Sequence, residues 1–377
     1  MPAETRGGSA GRSRPVPPRR RRSGIRGRDG LWGWVFVSPA VTILSLFLFA
    51  PILMALWVSL LEWDGQSNPF TTTEHFVGLD NYRALLFEDG LDRELLMTSV
   101  RNNLYYVLLV VPLQTVVALA LALAVNQRAL KAKTLYRTAF YFPSVTSSIA
   151  IATIFLFLFQ GSGVVNTMLS QVGVEGPNWF TDSRGLTWVV LDKLGVLDVS
   201  SPPAALTDHG LLGLTWWEWL SGPSIAMCTI ITLAVWTTSG TFMLIFLAAL
   251  QDIPAEQEEA ARVDGAGRWR VLWHVTLPAL RPVLFLVLTL GLIATWQVFD
   301  QVYVMSQGAP ANTTLTPAYL SYTSGFDDAQ YGKGAAIAFL LLAVILLFTG
   351  LQRLLLRERD DTGTSRWFRR GARRRSR

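Results

Sequence analysis

The sequence predicts an all-α polytopic membrane protein with six transmembrane helices, and three observations support this prediction. Hydrophobic residues make up 51% of the 377 residues and charged residues only 16%, against about 25% charged residues in an ordinary soluble protein. Six apolar stretches are each at least about 20 residues long, the length that a helix needs to cross a bilayer core. The basic residues are concentrated outside these stretches, above all near the two ends of the chain.

The six apolar stretches are the predicted spans. The first follows a basic segment, as a signal peptide would, but its apolar run is far longer than the about 7–15 residues of a signal sequence. We therefore interpret it as a retained first span. The six predicted spans are residues 31–61, 102–125, 140–159, 223–250, 282–304 and 334–356.

The distribution of positive charge predicts the orientation of the spans. If the N-terminus is cytoplasmic, 27 of the 33 Lys and Arg residues lie on the cytoplasmic side. Cytoplasmic segments of membrane proteins carry an excess of Lys and Arg, so we expect a multi-pass protein of the cell membrane with both termini in the cytoplasm. The cytoplasmic segments 1–30, 126–138, 251–281 and 353–377 hold 9, 4, 4 and 10 of these residues.

The chain accordingly divides into a central six-span domain, residues 31–356, and two basic tails, residues 1–30 and 357–377. The tails are rich in arginine but contain few aromatic residues. This composition is typical of a solvated anchor that is attracted to anionic lipid headgroups. We expect the tails to contact membrane lipid and predict no nucleic-acid partner.

One predicted extracytoplasmic loop, residues 161–222, is unusually long. Loops beyond about 12–15 residues without secondary structure are uncommon in compact proteins. Its apolar residues, among them Trp188, Leu191 and Leu194, form runs that are too short to cross a membrane. We expect short helices there, lying on the membrane surface or against the extracytoplasmic face of the protein.

The sequence contains none of the common catalytic or nucleotide-binding motifs. No G-x-x-x-x-G-K-[ST] phosphate-binding loop occurs, so we expect that this chain alone does not bind ATP. The three histidines, His75, His209 and His274, lie far apart in sequence, and with the single cysteine Cys228 they offer no metal-ligand spacing. We therefore predict that the chain is not an enzyme and holds no metal or cofactor of its own.

The predicted cytoplasmic segment 251–281 contains the most informative pattern. Pro254 and the acidic residues that follow it suit the first turn of a helix, and Gly265 suits its C-terminal cap. A second helix is predicted over residues 268–277, and Pro278 is expected to end it. The apolar face of this second helix holds Trp269, Leu272 and Trp273. An apolar helix pair facing the cytoplasm predicts a surface for a partner protein.

The same segment resembles the EAA loop of ABC importer permeases, whose pattern is E-A-A, three residues, Gly, nine residues and I-x-L-P. Here Glu259, Ala260 and Ala261 are followed after three residues by Gly265. After nine more residues comes V-T-L-P at 275–278, so only Val275 departs from the pattern. The D-G-A at 264–266 is similar to that of the carbohydrate branch, and the resemblance extends over most of residues 31–356.

The resemblance implies a transmembrane permease subunit of a binding-protein-dependent ABC sugar importer, with a cytoplasmic EAA coupling helix. It implies four further chains: a second permease subunit, two ATPase subunits that bind ATP and Mg, and an extracytoplasmic solute-binding protein that delivers the sugar. The EAA loop would dock on an ATPase, so ATP hydrolysis is expected on a separate chain. The ATPase-coupling residues that the resemblance implies are Glu259, Ala260, Ala261, Asp264, Gly265, Leu277 and Pro278.

Polar residues within the predicted spans are candidates for the substrate path. Trp296, Gln297 and Asp300 lie late in the fifth span, where an aromatic face and hydrogen-bonding groups could bind a sugar. Asp300 could instead anchor the span at the outer interface. Residues 237–241 of the fourth span are all Ser, Thr or Gly, and we interpret them as interhelical packing with cross-helix hydrogen bonds.

Two alternatives stay open. A permease of this kind could carry a non-sugar solute such as a phosphorylated polyol. From a different class, the chain could be a six-span membrane receptor or a lipid-active enzyme. The enzyme alternative predicts a polar catalytic cluster at a membrane face, and the sequence shows none.

Cysteine labelling tests the predicted topology. On a Cys228→Ser background, a single cysteine placed between Asp182 and Asp208 should react with a membrane-impermeant maleimide added outside the cell, because this loop is predicted to be extracytoplasmic. A cysteine at Val263, in the predicted cytoplasmic segment, should react only after the membrane is permeabilised. Reaction of the first cysteine from the cytoplasmic side alone would refute the topology.

Overall fold

The chain folds almost entirely into helices, as predicted, in a computed structural model that describes residues 28–70, 76–127, 130–196 and 202–355. Of the predicted N-terminal tail, only residues 28–30 are among these residues, and the predicted C-terminal tail lies wholly outside them. By contacts the chain divides into two compact units, Met1–Met54 and Ala55–Arg377. The described part of the first unit is helical.

The elements in chain order are as follows. The first helix, α1, comprises Arg28–Leu44, a π-helical turn at Ser45–Phe49 and Ala50–Val58. The other helices are α2 (Asp80–Leu86), α3 (Leu91–Asn126), α4 (Lys133–Val145), α5 (Ser148–Leu158), α6 (Val164–Gln171), α7 (Leu186–Lys193), α8 (Ala204–Thr207), α9 (Trp216–Trp219), α10 (Ile225–Gln251), α11 (Ala255–Val263), α12 (Arg268–Val271, extended by a π-helical turn at Leu272–Thr276 and by Leu277–Ala279), α13 (Arg281–Trp296), α14 (Asp300–Met305), α15 (Pro317–Tyr322, followed by a π-helical turn at Thr323–Asp327) and α16 (Tyr331–Leu355). Strands β1 (Gly210–Leu211) and β2 (Leu214–Thr215) form an antiparallel hairpin between α8 and α9.

Four of the six predicted spans are single helices that are long and apolar enough to cross a membrane. They are Trp32–Val58, Leu91–Asn126, Ile225–Gln251 and Tyr331–Leu355. The third predicted span lies within a sharply bent pair of helices, Lys133–Val145 and Ser148–Leu158. The fifth begins in the second helix of another bent pair, Arg268–Ala279 and Arg281–Trp296, whose first helix belongs to the predicted cytoplasmic segment 251–281. By length and composition, the described residues therefore contain four helices that could each cross a membrane, or up to six such segments if each bent pair is one broken span.

The third predicted span is not the straight helix that the sequence analysis expected. α4 and α5 meet at an angle of 95°, and Thr146 between them has an extended backbone. Pro143, in the last turn of α4, has no backbone N–H to continue the helical hydrogen bonds. The Thr146 hydroxyl donates to the carbonyl oxygen of Phe142 at 2.9 Å, so a side chain satisfies a carbonyl that the bend frees.

The fifth predicted span also ends earlier than expected, because α13 stops at Trp296 and a new helix starts at Asp300. The carbonyl groups at this break have side-chain partners. Asn103 Nδ2 donates to the Trp296 carbonyl oxygen at 3.0 Å, and Thr316 Oγ1 donates to the Val298 carbonyl oxygen at 3.2 Å. Irregular backbone is tolerated at membrane depth only where such partners exist within the protein.

The expectation of short helices in loop 161–222 is confirmed. The described residues of this loop form α6, α7, α8, α9 and the β1–β2 hairpin. The backbone N–H of Leu186 donates to the Pro223 carbonyl oxygen at 2.9 Å, which ties the start of α7 to the chain just before α10.

Helix α3 lies at the centre of the second unit, where it contacts α10 and α13. Ala118 and Ala122 of α3 are completely buried in one cluster with Met243 and Phe246 of α10. Small side chains on one helix let the two backbones approach closely, which favours packing in the absence of a hydrophobic driving force. Gln114 of α3 is buried in the same interface, where its Oε1 accepts a hydrogen bond of 2.6 Å from the Thr238 hydroxyl.

Gly240 brings α10 into backbone contact with α4. A Cβ atom at Gly240 would collide with the carbonyl oxygen of Phe140 and with the Ser144 hydroxyl. Ser144 in turn donates to the Thr237 carbonyl oxygen at 2.7 Å, which holds the two helices together next to the bend.

Gly240→Ala should therefore destabilise the protein, whereas Gly350→Ala should not. The added methyl group at 240 forces α4 and α10 apart, at an expected cost of about 1–3 kcal/mol. Gly350 is the matched control, because it also lies in a long apolar helix but a Cβ there meets nothing within 4 Å. Thermal unfolding of the purified variants in detergent measures both effects. Equal melting temperatures for the two variants would contradict the proposed close contact.

Candidate functional site

Segment 255–279 folds into two helices, α11 and α12, which we call the α11–α12 knob. Gly265 between them has φ +80°, a left-handed conformation that costs a residue with a side chain about 1 kcal/mol or more. Its N–H donates to the Arg262 carbonyl oxygen at 3.0 Å, and the Ala266 N–H donates to the Ala261 carbonyl oxygen at 2.9 Å. These two bonds form a Schellman motif, so the predicted glycine cap is confirmed.

The predicted end of the second helix is wrong. α12 continues through Pro278 to Ala279 and then meets α13 at an angle of 70°. The π-helical turn at Leu272–Thr276 precedes Pro278, which therefore lies in the first turn of a new helical segment, where its missing N–H is tolerated. α12 is thus joined to α13 through Leu280, which is completely buried.

The knob presents two large aromatic side chains to the outside. Trp269 is 75% exposed and Trp273 is 63% exposed. Val271 and Thr276 of the same helix are buried and hold the knob against the rest of the protein. Exposed tryptophans on a helix whose other side is buried form a surface that is suited to a partner protein.

The residues of the E-A-A motif lie on the exposed side of α11. Glu259 is exposed and forms no ion pair within the described residues, whereas the neighbouring Glu258 pairs with Arg262 at 3.4 Å. Ala260 is exposed and Ala261 is half-buried, so neither presents a bulky side chain to a partner. The remaining predicted coupling residues are the exposed Asp264, which caps α11, and the half-buried Leu277 and Pro278 of α12.

A second candidate site is a cavity of about 260 Å³ inside the bend between α4 and α5. Helix α10 and the start of α14 close it on the other side. Most of its polar lining groups are hydroxyls, with one amide, and no charged side chain lines it. We call it the hydroxyl cavity. Its polar lining residues are Ser144, Thr146, Ser148, Thr237, Thr238, Thr241 and Gln301.

An aromatic row extends from this region toward loop 161–222. Trp236, next to Thr237, lies 5.5 Å from Phe155 between ring centroids. Phe155 stacks on Phe159 at 5.5 Å, and Phe159 meets Trp179 edge to face at 5.2 Å. Trp236 is 49% exposed, so part of its ring is accessible to a solute.

The predicted substrate-path residues do not line this cavity. Trp296 is completely buried, with its ring 5.1 Å from that of Phe348. In this conformation its ring has no free face to stack on a sugar, so it is a packing residue here. Gln297 and Asp300 are exposed at the break between α13 and α14. Their part in a substrate path stays a prediction.

The sequence analysis assigned Thr237, Thr238 and Thr241 to packing, whereas the structure places them around the hydroxyl cavity. Both descriptions are partly right, because the Thr238 hydroxyl donates across the helix interface to Gln114 Oε1 and the Thr237 hydroxyl donates to the Leu233 carbonyl oxygen of its own helix. The hydroxyl oxygens can still accept hydrogen bonds. Within the described residues, no group of three or more His, Cys, Asp and Glu side chains could hold a metal ion.

Comparison with known proteins identifies relatives that cover most of the chain. Residues 114–360, which include the hydroxyl cavity and the knob, match the family model of the binding-protein-dependent transport system inner membrane component. The chain is 30% identical over 325 residues to the probable ABC transporter permease protein YesP of Bacillus subtilis, covering 85% of this chain and 89% of that protein. It is 28% identical over 341 residues to the lactose transport system permease protein LacF of Rhizobium radiobacter, covering 90% and 98%.

Solved structures show the same fold. The chain is similar, with a TM-score of 0.66, to a bacterial ABC transporter involved in the import of the acidic polysaccharide alginate. The similarity covers 89% of this chain and 97% of that chain, at 21% sequence identity.

Proposed function

The chain belongs to the family of binding-protein-dependent transport system inner membrane components, and we propose that it is the transmembrane permease subunit of an ATP-driven importer that translocates a carbohydrate. An extracytoplasmic binding protein would deliver the carbohydrate, and a second permease subunit would complete the pathway. The single observation that supports the transport role best is the family match over residues 114–360. Relatives such as the lactose transport system permease protein LacF support the same role.

The hydroxyl cavity supports a neutral, polyhydroxylated solute. The hydroxyl and amide groups of its lining exchange hydrogen bonds with sugar hydroxyls. A phosphorylated polyol carries negative charge at neutral pH, and anion sites in proteins are typically lined by Arg or Lys. The hydroxyl cavity has no such side chain, which favours a sugar over the phosphorylated alternative.

The knob supports the coupling role. We propose that Glu259, Ala260 and Ala261 contact an ATPase subunit, which binds ATP and Mg, and that Trp269 and Trp273 add apolar area to this contact. The carboxylate of Glu259 is exposed and forms no ion pair within the described residues, so it is available to a basic group of the partner. Closure of the ATPase pair would then move α12 and, through the bend, α13. This assignment places the knob and both termini in the cytoplasm, and loop 161–222 outside the cell.

Filling the hydroxyl cavity tests the transport path. Thr241→Phe should abolish most sugar uptake, because a phenyl ring occupies much of a cavity of about 260 Å³. Thr232→Phe is the matched control on the same helix, since Thr232 is exposed and does not line the cavity. The measurement is ATPase stimulation and uptake in proteoliposomes over a panel of sugars. Normal uptake by Thr241→Phe, or stimulation by no sugar at all, would contradict the proposal.

Substitutions in the knob test the coupling role. Gly265→Val should weaken association with the ATPase, because valine is strained at φ +80°. Gly267→Val is the control, since Gly267 also has open space around it but an ordinary backbone.

Glu259→Lys should lower transport severalfold, because it reverses a charge at the proposed contact, whereas the same change at the exposed Glu256 should have a smaller effect. Co-purification of the ATPase and uptake rates measure both. Variants that insert normally and match the wild type in both assays would exclude the coupling role.

A further inference from the structure

A cavity of about 280 Å³ lies where the outer part of α3 meets loop 161–222. We call it the outer cavity. Arg101 and Asn102 of α3 form one wall, and the chain on both sides of Trp188 and Trp217 forms another. It shares no lining residue with the hydroxyl cavity.

Arg101 is the unusual member of this cavity. It is only 7% exposed, yet it forms no ion pair with any carboxylate of the described residues. Its hydrogen bonds go to neutral acceptors: Nη2 and Nε donate to Asn102 Oδ1 at 3.0 and 3.4 Å, and Nη1 donates to the Glu218 carbonyl oxygen at 3.5 Å. A guanidinium has five N–H groups, so one hydrogen on Nη1 and one on Nη2 stay available. A buried charge is costly unless it is paired.

The acidic side chains nearest in the loop are already engaged. Glu218 Oε2 accepts hydrogen bonds from the Thr215 N–H at 2.8 Å and from the Thr215 hydroxyl at 2.9 Å, which caps α9. Asp182 pairs with Arg184 at 2.7 Å, and these hydrogen bonds from Arg184 hold the pKa of the Asp182 carboxyl below its ordinary value. Among the described residues, Glu218 acts on Arg101 only through space, as a nearby charge, and none of their carboxylates forms an ion pair with it. The free N–H groups of Arg101 can therefore receive a carboxylate of another molecule.

The surface on the same loop is suited to a protein partner. Leu211 and Leu212 are about half exposed at the tip of the β1–β2 hairpin, as are Trp216 and Leu220 at the ends of α9. Trp219 Nε1 donates to the Leu211 carbonyl oxygen at 2.9 Å, so the hairpin is held against α9. These exposed apolar side chains lie on the same loop as Trp217 and Glu218, which line the outer cavity, and exposed aromatic and aliphatic side chains are typical of protein-binding surfaces.

We propose that the outer cavity receives an aspartate or glutamate side chain of the extracytoplasmic binding protein, whose carboxylate pairs with Arg101. The inference rests on the proposed function, which supplies this partner at this face. The transported solute is the weaker candidate for the occupant, because the hydroxyl cavity carries no cation to accept an anionic solute. Charge complementarity and the apolar side chains on the hairpin and α9 both favour a protein carboxylate.

Docking of the binding protein at Arg101 would also affect the backbone segment before α15, through Asn102. Asn102, which accepts from Arg101, donates through Nδ2 to the carbonyl oxygens of Asn312 at 2.7 Å and Leu315 at 3.0 Å. An ion pair formed at Arg101 therefore acts on the same amide that holds the segment before α15. The arriving carboxylate would bind to a group that is already connected, through Asn102, to the segment before α15.

The test uses the assembled transporter in lipid nanodiscs with the binding protein that stimulates its ATPase. The readout is the concentration of binding protein that gives half-maximal stimulation. Arg101→Gln should raise this concentration at least about tenfold, because it removes a charge-assisted pair. Arg83→Gln is the matched control, since Arg83 is an exposed arginine that pairs with Glu88 at 3.2 Å and does not line the cavity. It should leave the curve unchanged.

Ser183→Trp is a second variant for the case that Arg101→Gln fails to fold. Ser183 is exposed and lines the cavity, so a tryptophan there obstructs it without disturbing the core. It should raise the half-maximal concentration as well. Replacing the exposed carboxylates of the binding protein one at a time by amides then identifies the partner residue, whose loss should add nothing to Arg101→Gln in a double-mutant cycle.

The outcomes separate this proposal from the proposed function. Unchanged half-maximal concentrations in folded Arg101→Gln and Ser183→Trp would overturn the docking role and leave the import function standing. An effect of Arg101→Gln that vanishes when the nanodiscs contain no anionic lipid would assign the cavity to an anionic lipid headgroup and overturn the proposal. A wild-type transporter that no binding protein stimulates would overturn both.

Discussion

The structure depends on one constraint, which is that backbone polar groups inside a bilayer must find their partners within the protein. Most of the chain meets it with continuous helices. Two departures from helix meet it with side chains: Thr146 serves the bend between α4 and α5, and Asn103 and Thr316 serve the break after α13. These few hydrogen bonds make irregular backbone possible at membrane depth, and the irregular backbone creates the hydroxyl cavity and separates α13 from α14.

The same constraint explains why the interior is built from small and polar residues as well as apolar ones. Ala118, Ala122 and Gly240 let the helices approach until backbone atoms touch. At that distance hydroxyl and amide groups can bridge two helices, as Thr238 does with Gln114 and Ser144 does with α10. Close approach and polar bridging therefore occur together, next to the cavity that we assign to the sugar.

The sequence predicts the continuous spans and the knob well, because both depend on local signals. Length and composition are sufficient for the four single helices, and a glycine after an acidic helix is sufficient for the cap at Gly265. The bends are different. Pro112 lies within the continuous helix α3, whereas Pro143 precedes a 95° bend. Residue type alone does not tell the proline in a straight helix from the proline before a bend. What sets Pro143 apart is that its helix, α4, contacts Gly240 of α10, and this contact joins residues about 100 positions apart in the sequence.

The candidate residues show the same limit. Trp296 lies in a span and is aromatic, and the sequence cannot tell a ring that faces a solute from one that packs on Phe348. Thr237, Thr238 and Thr241 look like packing residues, and only the bend opposite them gives them a cavity to line. Arg101 carries no sequence signal beyond its position near the start of a span. That it is buried without an ion pair among the described residues becomes visible only when the described part of loop 161–222 is in place.

The 70° junction between α12 and α13 makes α12 a lever arm with Leu280 as its pivot. Twelve helical residues, Arg268–Ala279, give an arm about 18 Å long at 1.5 Å per residue. A tilt of about 10° displaces the Trp269 end by about 3 Å over such an arm, which is roughly the height of half a helical turn. Because the pivot is buried and the arm is helical, little of that displacement is lost to bending. Under the proposed function, a push on the exposed end of α12 would therefore reach α13 as a rotation about Leu280.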